Sequence, residues 1–147
     1  FLKQVKQHAA DKTVLGSGDL FSAEACLQMI RQTGVDGVTA ARGAIGNPWL
    51  FQQARELAAG RPLPPPPGLF EQRDLIAEHY RLAEEIYGEK RTCNLMRKFG
   101  IKYARLHPRG EKVRAAFVTA ANPMQWREVL QQWYAEDLPG CYPDPEG

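Results

Sequence analysis

The sequence has 147 residues, of which 44% are hydrophobic and 24% are charged, and its formal net charge is +2. This length suits one domain or two small ones, and the composition is that of a globular protein. No stretch approaches the ~20 consecutive apolar residues of a membrane span, so we expect no membrane partner. The three cysteines (Cys26, Cys93 and Cys141) form no CxxC pair and no zinc-binding set, which predicts no metal site and a reducing, cytoplasmic location.

The first sixty residues alternate the patterns of strands and helices. The sequence predicts a helix over residues 5–10, a strand over 13–16, a helix from the cap Ser22 to Gly34, a strand over 35–40 and a helix over 49–59. Asn47 would cap the last helix, with Pro48 at its first position. Strand, helix, strand and helix at this spacing predict a βαβα unit with a parallel sheet.

A proline-rich segment, residues 61–69, separates this region from a second one. Five of its nine residues are proline, which fixes φ and lacks an N–H donor, so we expect an extended linker. Apolar residues at helical spacing then predict four helices, over 70–87, 91–106, 111–120 and from the cap Asn122 onward. Four helices with short connections predict a small bundle over 70–137, followed by a tail over 138–147. The predicted fold class is α/β plus all-α.

Small, glycine-rich segments follow both predicted strands. Gly16 to Asp19 follow the first strand, and Ala41, Arg42 and Gly43 follow the second. The carboxyl ends of parallel strands lie at one edge of a sheet, where such folds bind ligands and where TIM barrels often bind phosphate. Backbone N–H groups can donate to an anion there, and Arg42 adds a positive charge. The pattern indicates a phosphate site; the alternatives are a simple tight turn and a pairing of Arg42 with Asp19 or Asp36.

Basic residues are concentrated in one segment of the second region. Between Lys90 and Arg114 the sequence has nine lysines and arginines and one acid, a net charge of +8. At 100° per residue, four of them fall on one side of the predicted second helix: Arg91, Lys98, Lys102 and Arg105. Like charges without acidic partners weaken a helix, and a phosphate backbone would offset that cost. The stripe therefore predicts a face that binds a phosphate backbone; the alternative is a solvated helix face.

Several segments resemble the bacterial tRNA-dihydrouridine synthases. They are residues 14–22 (VLGSGDLFS), 33–38 (TGVDGV), 41–51 (ARGAIGNPWLF) and 96–99 (MRKF). The resemblance covers nearly the whole chain in order. It implies the last βαβα portion of an FMN-binding TIM barrel over 1–60, the linker over 61–69 and a helical tRNA-binding domain over 70–137. Ser17 stands where the family usually has Asn, and Ala41 where it often has Gly; both residues are small.

The resemblance also implies the roles of particular residues. The FMN phosphate would be held by Ser17, Gly18, Asp19, Ala41 and Arg42. Together with the charge pattern, it predicts RNA contacts from Arg91, Arg97, Lys98, Lys102 and Arg105. The implied reaction is the reduction of uridine to 5,6-dihydrouridine in tRNA, with FMN as cofactor and NADPH as electron donor.

The resemblance places the catalytic residues outside this chain. The family's catalytic cysteine, and the lysine and histidine near its flavin, belong to earlier barrel loops, and no cysteine here lies in a matching motif. We therefore expect catalytic residues upstream and no activity from the 147 residues alone. Two other functions stay open, namely another FMN-dependent TIM-barrel oxidoreductase and a non-catalytic RNA-binding module. The basic helical region speaks against the first of them.

Overall fold

In the computed structural model, which describes residues 1–143, the chain divides into two units, Phe1–Pro64 and the part from Pro65 onward. Helices dominate the described residues, and a sheet of two strands lies in the first unit. This arrangement is compatible with a partial TIM barrel followed by a helical domain. The last four residues of the predicted tail, 144–147, lie outside the described residues.

The first unit has the predicted order of strands and helices. Its elements are α1 (Leu2–Ala9), β1 (Leu15–Gly16), α2 (Ala23–Thr33), β2 (Gly37–Val38), a 3₁₀ turn (Arg42–Ala44) and α3 (Leu50–Ala58). The two strands pair in parallel, with Leu15 opposite Gly37 and Gly16 opposite Val38. Both strands are shorter than predicted, although the Thr39 N–H still donates to the Gly16 carbonyl at 2.9 Å.

The predicted ends of α2 are confirmed, whereas the predicted cap of α3 is wrong. Ser22 Oγ accepts a hydrogen bond from the Ala25 N–H at 3.1 Å, and Gly34 ends the helix with a φ of 72°. Asn47 instead takes part in a turn before α3, in which its carbonyl accepts from the Leu50 N–H at 3.3 Å. Its buried Oδ1 has no hydrogen-bond partner among the described residues. Asn47 is thus too far from the first turn of α3 to cap it.

A small apolar cluster joins α2 to α3 and anchors the loop after β1. Its buried members are Leu20, Ala23, Cys26 and Leu50. Leu20 comes directly after the glycine-rich segment and is only 5% exposed. Burial of this side chain fixes one end of the loop that follows β1.

The second unit contains the four predicted helices. They are α4 (Leu69–Tyr87), α5 (Glu89–Tyr103), α6 (Gly110–Thr119) and α7 (Pro123–Trp133). The predicted second helix extended to residue 106, but the chain tightens into a second 3₁₀ turn over Ala104–Leu106. Pro108 lies just beyond, and proline disfavours helical backbone in the residue before it. Asn122 caps α7 as predicted, since its Oδ1 accepts from the Gln125 N–H at 2.9 Å.

One apolar core unites the four helices, and it corrects the predicted face of α4. Trp126 is 1% exposed, and its ring lies 5.2 Å from that of Tyr80 and 4.6 Å from that of Phe117. Helical spacing in the sequence predicts one buried face of α4 with Leu75, Ile76, His79, Leu82, Ala83 and Ile86. In the structure, however, Leu82 and Ile86 are 42% and 72% exposed. The buried face is rotated relative to the predicted one because Tyr80 packs against Trp126. Its members are Leu69, Gln72, Ile76, Tyr80 and Ala83.

The segment after α7 packs along the ends of other elements. The Leu138 carbonyl accepts from the Leu69 N–H at 2.9 Å, and the Cys141 N–H donates to the Leu106 carbonyl at 2.8 Å. The Asp137 carboxylate accepts from the Phe70 N–H at 3.1 Å. We call residues 137–141 the strap. Because two of its bonds reach the first turn of α4, the strap satisfies N–H groups that have no partner within that helix.

Gly100 lets α5 approach the core closely. A Cβ at this position would lie 2.7 Å from the Phe117 ring and 2.8 Å from the Trp126 ring. A glycine inside a helix costs about 1 kcal/mol relative to alanine. Close packing between α5 and the two rings offsets this cost.

We expect Gly100→Ala to destabilise the second unit by about 1–3 kcal/mol, despite the higher helix propensity of alanine, because the added methyl group overpacks the core. Urea unfolding followed by far-UV circular dichroism would measure the change. Ala115→Gly, at an exposed position of α6, is the control and should cost only the propensity difference of about 1 kcal/mol. An increase in stability in Gly100→Ala would show that the core has room for the methyl group.

Candidate functional site

The two glycine-rich segments meet at the carboxyl edge of the sheet. Parallel pairing brings the ends of β1 and β2 together, and Nη2 of Arg42 lies 2.7 Å from Oδ1 of Asp19. All five residues predicted to hold phosphate line one cavity of about 100 Å³: Ser17, Gly18, Asp19, Ala41 and Arg42. The fold thus gathers into one place residues that are distant in sequence.

The loop after β1 turns through two residues with positive φ. Gly18 has a φ of 130°, which L side chains rarely adopt, and Asp19 has a φ of 47°, which Asp tolerates better than most residues. Apart from Gly18 and its two chain neighbours, no heavy atom of the described residues lies within 4 Å of the point where a Cβ on Gly18 would stand. Turns of this kind can bring successive backbone N–H groups to one concave side that binds anions. Gly18 therefore leaves its backbone open to a ligand.

Gly43 sets the distance between the two loops. A Cβ on Gly43 would lie 1.9 Å from the Leu20 carbonyl oxygen and 2.9 Å from the Phe21 Cα. Both contacts are with backbone atoms, which cannot rotate away as a side chain does. Only glycine therefore permits this approach of the 3₁₀ turn to the loop after β1.

The Arg42 side chain is held loosely. It and the Asp19 side chain are 75% and 77% exposed, so their ion pair contributes little to stability. The guanidinium also lies 5.7 Å from the centroid of the Phe21 ring. Arg42 can therefore exchange the Asp19 carboxylate for another anion at small cost.

The sequence left Asp19 and Asp36 as alternative partners for Arg42. In the structure Asp36 pairs with Lys6 and not with Arg42. Lys6 Nζ lies 2.7 Å from Oδ2 of Asp36, and the Val14 N–H donates to the same oxygen at 2.8 Å. These hydrogen bonds, that of Lys6 above all, lower the pKa of Asp36 below its usual range. Asp36 thus connects α1 to the start of the sheet and lies outside the set that lines the cavity.

The five basic residues predicted to contact RNA are placed differently from one another. Arg91, Lys98 and Lys102 are exposed on α5, whereas Arg105 is half-buried in the second 3₁₀ turn. Arg97 is also half-buried, and its Nη2 donates to the Ala120 carbonyl at 3.2 Å. That carbonyl lies at the C-terminal end of α6, where a cation is favourable. Arg97 thus has a structural contact of its own.

A groove of about 670 Å³ lies between the end of α5 and the start of α6. Its charged lining residues are Lys102, Arg105, Glu111 and Arg114. Two of the predicted RNA contacts, Lys102 and Arg105, therefore share a surface with Arg114. Arg114 lies outside the predicted stripe because the stripe contains residues of a single predicted helix. The signal that could have found it is the continuation of the +8 segment into α6.

A buried histidine holds the connection between α5 and α6 beside this groove. We call this connection, residues 104–109, the corner. His107 is 2% exposed; its Nε2 lies 2.8 Å from the Trp133 carbonyl, and its Nδ1 accepts from the Arg109 N–H at 2.9 Å. A neutral ring with its proton on Nε2 satisfies both bonds. Burial lowers the pKa of His107; the hydrogen bond to the Trp133 carbonyl acts against this lowering, and the positive charge of Arg109 adds to it. The ring therefore stays neutral near pH 7, and the corner keeps both hydrogen bonds.

Among residues 1–143, no group of three or more His, Cys, Asp or Glu side chains could hold a metal ion. No helix in the same range could span a membrane.

Cys26 and Cys93 are buried, and burial raises the pKa of both thiols. A buried, protonated thiol is a poor nucleophile, so neither residue suits catalysis.

Several curated tRNA-dihydrouridine synthases are similar in sequence to this chain. A "Probable tRNA-dihydrouridine synthase" of Mycobacterium leprae is 36% identical over 115 residues, which cover 78% of this chain and 30% of that protein. The "tRNA-dihydrouridine synthase B" of Xanthomonas campestris pv. campestris is 31% identical over 130 residues, covering 88% and 39%. A "Probable tRNA-dihydrouridine synthase" of Rickettsia prowazekii is 29% identical over 135 residues, covering 91% and 41%.

These relatives are all longer than the chain described here. The matched segment spans between 30% and 41% of their length. A family model described as "Dihydrouridine synthase (Dus)" matches residues 2–137, which includes both glycine-rich loops and all four helices of the second unit. The chain belongs to the dihydrouridine synthase family.

Proposed function

We propose that this chain is part of a flavin-dependent oxidoreductase that reduces uridine to 5,6-dihydrouridine in tRNA. In this proposal, the first unit supplies one side of the FMN phosphate site, and the second unit binds tRNA. The observation that carries it is the convergence of the loops after β1 and β2 around Arg42, within a chain that matches the dihydrouridine synthase family. The relatives' names identify tRNA as the substrate of those proteins.

The cavity between the loops would take the phosphate end of FMN and not the whole cofactor. Its volume of about 100 Å³ is far below the ~300–1,000 Å³ of sites that enclose a whole ligand. Ser17, Gly18 and Ala41 would offer backbone N–H groups, and Arg42 would offer a planar guanidinium. We assign Asp19 a contact through its N–H, because its carboxylate repels an anion.

The two units have separate tasks in this proposal. FMN, when bound, supplies hydride transfer to the uracil ring, and NADPH is the electron donor that we propose. The residues of this chain bind and orient, and we propose that the groups contacting the uracil ring come from other parts of the protein. The target base has to leave its stack to react, so the RNA needs firm contacts elsewhere. Basic residues of the second unit would provide them by positioning the phosphate backbone.

We expect Arg42→Ala, introduced into the protein that combines this chain with a complete barrel, to weaken FMN binding by about 1.5–3 kcal/mol. The variant loses a charge-assisted contact with phosphate. Titration of the apoprotein with FMN, followed by flavin fluorescence, would measure the dissociation constant. Arg55→Ala on α3 is the control, because it removes one exposed positive charge of the same unit outside the cavity. An FMN affinity unchanged in Arg42→Ala would contradict the proposed phosphate site.

A further inference from the structure

The groove between α5 and α6 extends the basic surface beyond the predicted stripe. We infer that Arg114 binds an RNA phosphate, together with Lys102 and Arg105, in this groove. The inference rests on the proposed function, in which the second unit binds tRNA. It adds a positioning residue that belongs to a different helix from the stripe.

Three separate elements contribute the cations of the groove. Lys102 belongs to α5, Arg105 to the second 3₁₀ turn and Arg114 to α6, and all three line the same space of about 670 Å³. Glu111 is the one carboxylate in the described lining, so a net positive charge remains. A concave surface with a net positive charge concentrates a polyanion more strongly than a flat one. The groove is therefore a better phosphate site than the stripe alone.

Neighbouring cations of the same segment are placed elsewhere. The Arg109 guanidinium lies 5.5 Å from the centroid of the Trp133 ring. Arg97 donates to the Ala120 carbonyl at the end of α6. Lys112 is exposed on α6 but is not among the lining residues of the groove. Position relative to the groove thus distinguishes Arg114 from cations that are equally close in sequence.

The framework that carries Arg105 and Arg114 is held in place before any ligand arrives. His107 connects the corner to α7 through the Trp133 carbonyl. The Leu106 carbonyl accepts from Nε2 of the buried Gln72 at 3.1 Å and from the Cys141 N–H at 2.8 Å. A framework already ordered in the free protein reduces the entropy lost on binding. The groove also includes the start of α6, whose N-terminal end favours an anion.

The test is a titration of the chain with unmodified tRNA at several salt concentrations. We expect Arg114→Ala to weaken binding about tenfold and to reduce the slope of log affinity against log salt by roughly 0.7–0.9. Lys112→Ala removes the same charge from the same helix outside the groove, and it should change affinity less than about twofold. Arg114→Lys keeps the charge but loses the planar fork, so its affinity should lie between those of the wild type and Arg114→Ala.

The outcomes separate this inference from the proposed function. If the wild-type chain shows no salt-dependent tRNA binding, the proposed function of the second unit fails, and the inference fails with it. If the wild type binds but Arg114→Ala behaves like Lys112→Ala, only the assignment of Arg114 is overturned. Thermal unfolding of both variants shows whether the fold is kept, and Arg114→Lys provides the comparison in which the positive charge stays in place.

Discussion

Replacing Lys98, Lys102 and Arg105 together with alanine should weaken tRNA binding by roughly a hundredfold, since three charged contacts with phosphate are lost. The slope of log affinity against log salt should fall by roughly 0.7–0.9 for each contact removed. Different tRNAs should be affected alike, because phosphate contacts carry no sequence information. Helix content should stay the same, because alanine is the strongest helix former. Binding titrations over a salt series, with circular dichroism beside them, measure both quantities.

A control with the same change in net charge makes this result specific. Arg55, Lys112 and Arg127 are exposed cations outside the stripe and the groove. Their joint replacement with alanine should leave most of the affinity intact. Equal losses of tRNA affinity in the two triple variants would show that the effect depends on net charge alone. An unchanged affinity and salt slope in the first variant would make the stripe an ordinary solvated helix face.

Gly43→Ala should destabilise the loop pair of the first unit by about 3 kcal/mol and reduce FMN affinity in the protein with a complete barrel by more than about a hundredfold. The added Cβ would stand 1.9 Å from the Leu20 carbonyl oxygen, so the two loops have to separate. Arg42 is the preceding residue, and its guanidinium would move with the 3₁₀ turn. FMN titration and thermal unfolding report the two effects.

Gly37→Ala is the matched control for this variant. It makes the same change in the same unit, but its Cβ would approach Cδ2 of Leu15 at 3.1 Å. Leu15 is 56% exposed, so its side chain can move away. Gly37→Ala should therefore keep most of its FMN affinity. Equal FMN affinities in Gly43→Ala and the wild type would contradict the role of Gly43 in spacing the loops.

Local chemistry made several elements predictable from sequence. The caps Ser22 and Asn122 depend on a side-chain oxygen and an N–H group three residues later, and both are found as predicted. The convergence of the two glycine-rich loops was also predictable, because parallel strands end at a common edge. Contacts with FMN and RNA stay predictions that the experiments above address.

Other features depend on residues that are distant in sequence. The buried face of α4 is rotated because Tyr80 packs on Trp126, a residue of α7. The contact between Arg97 and the Ala120 carbonyl at the end of α6 also joins residues that are distant in sequence. The groove that includes Arg114 depends on the angle between α5 and α6. Residue spacing along a single helix gives no information about that angle. Tertiary packing decides these features.

The strap has a practical consequence for work on the helical unit. The family match and the predicted bundle both stop at residue 137, so a shortened protein would naturally be cut there. Such a cut would remove the carbonyl that binds the Leu69 N–H and the N–H that binds the Leu106 carbonyl. Each lost bond costs about 1 kcal/mol, and Leu106 belongs to the turn that carries Arg105. A truncated helical unit that is to keep the groove in shape therefore has to run from Pro65, where the second unit begins, through Cys141.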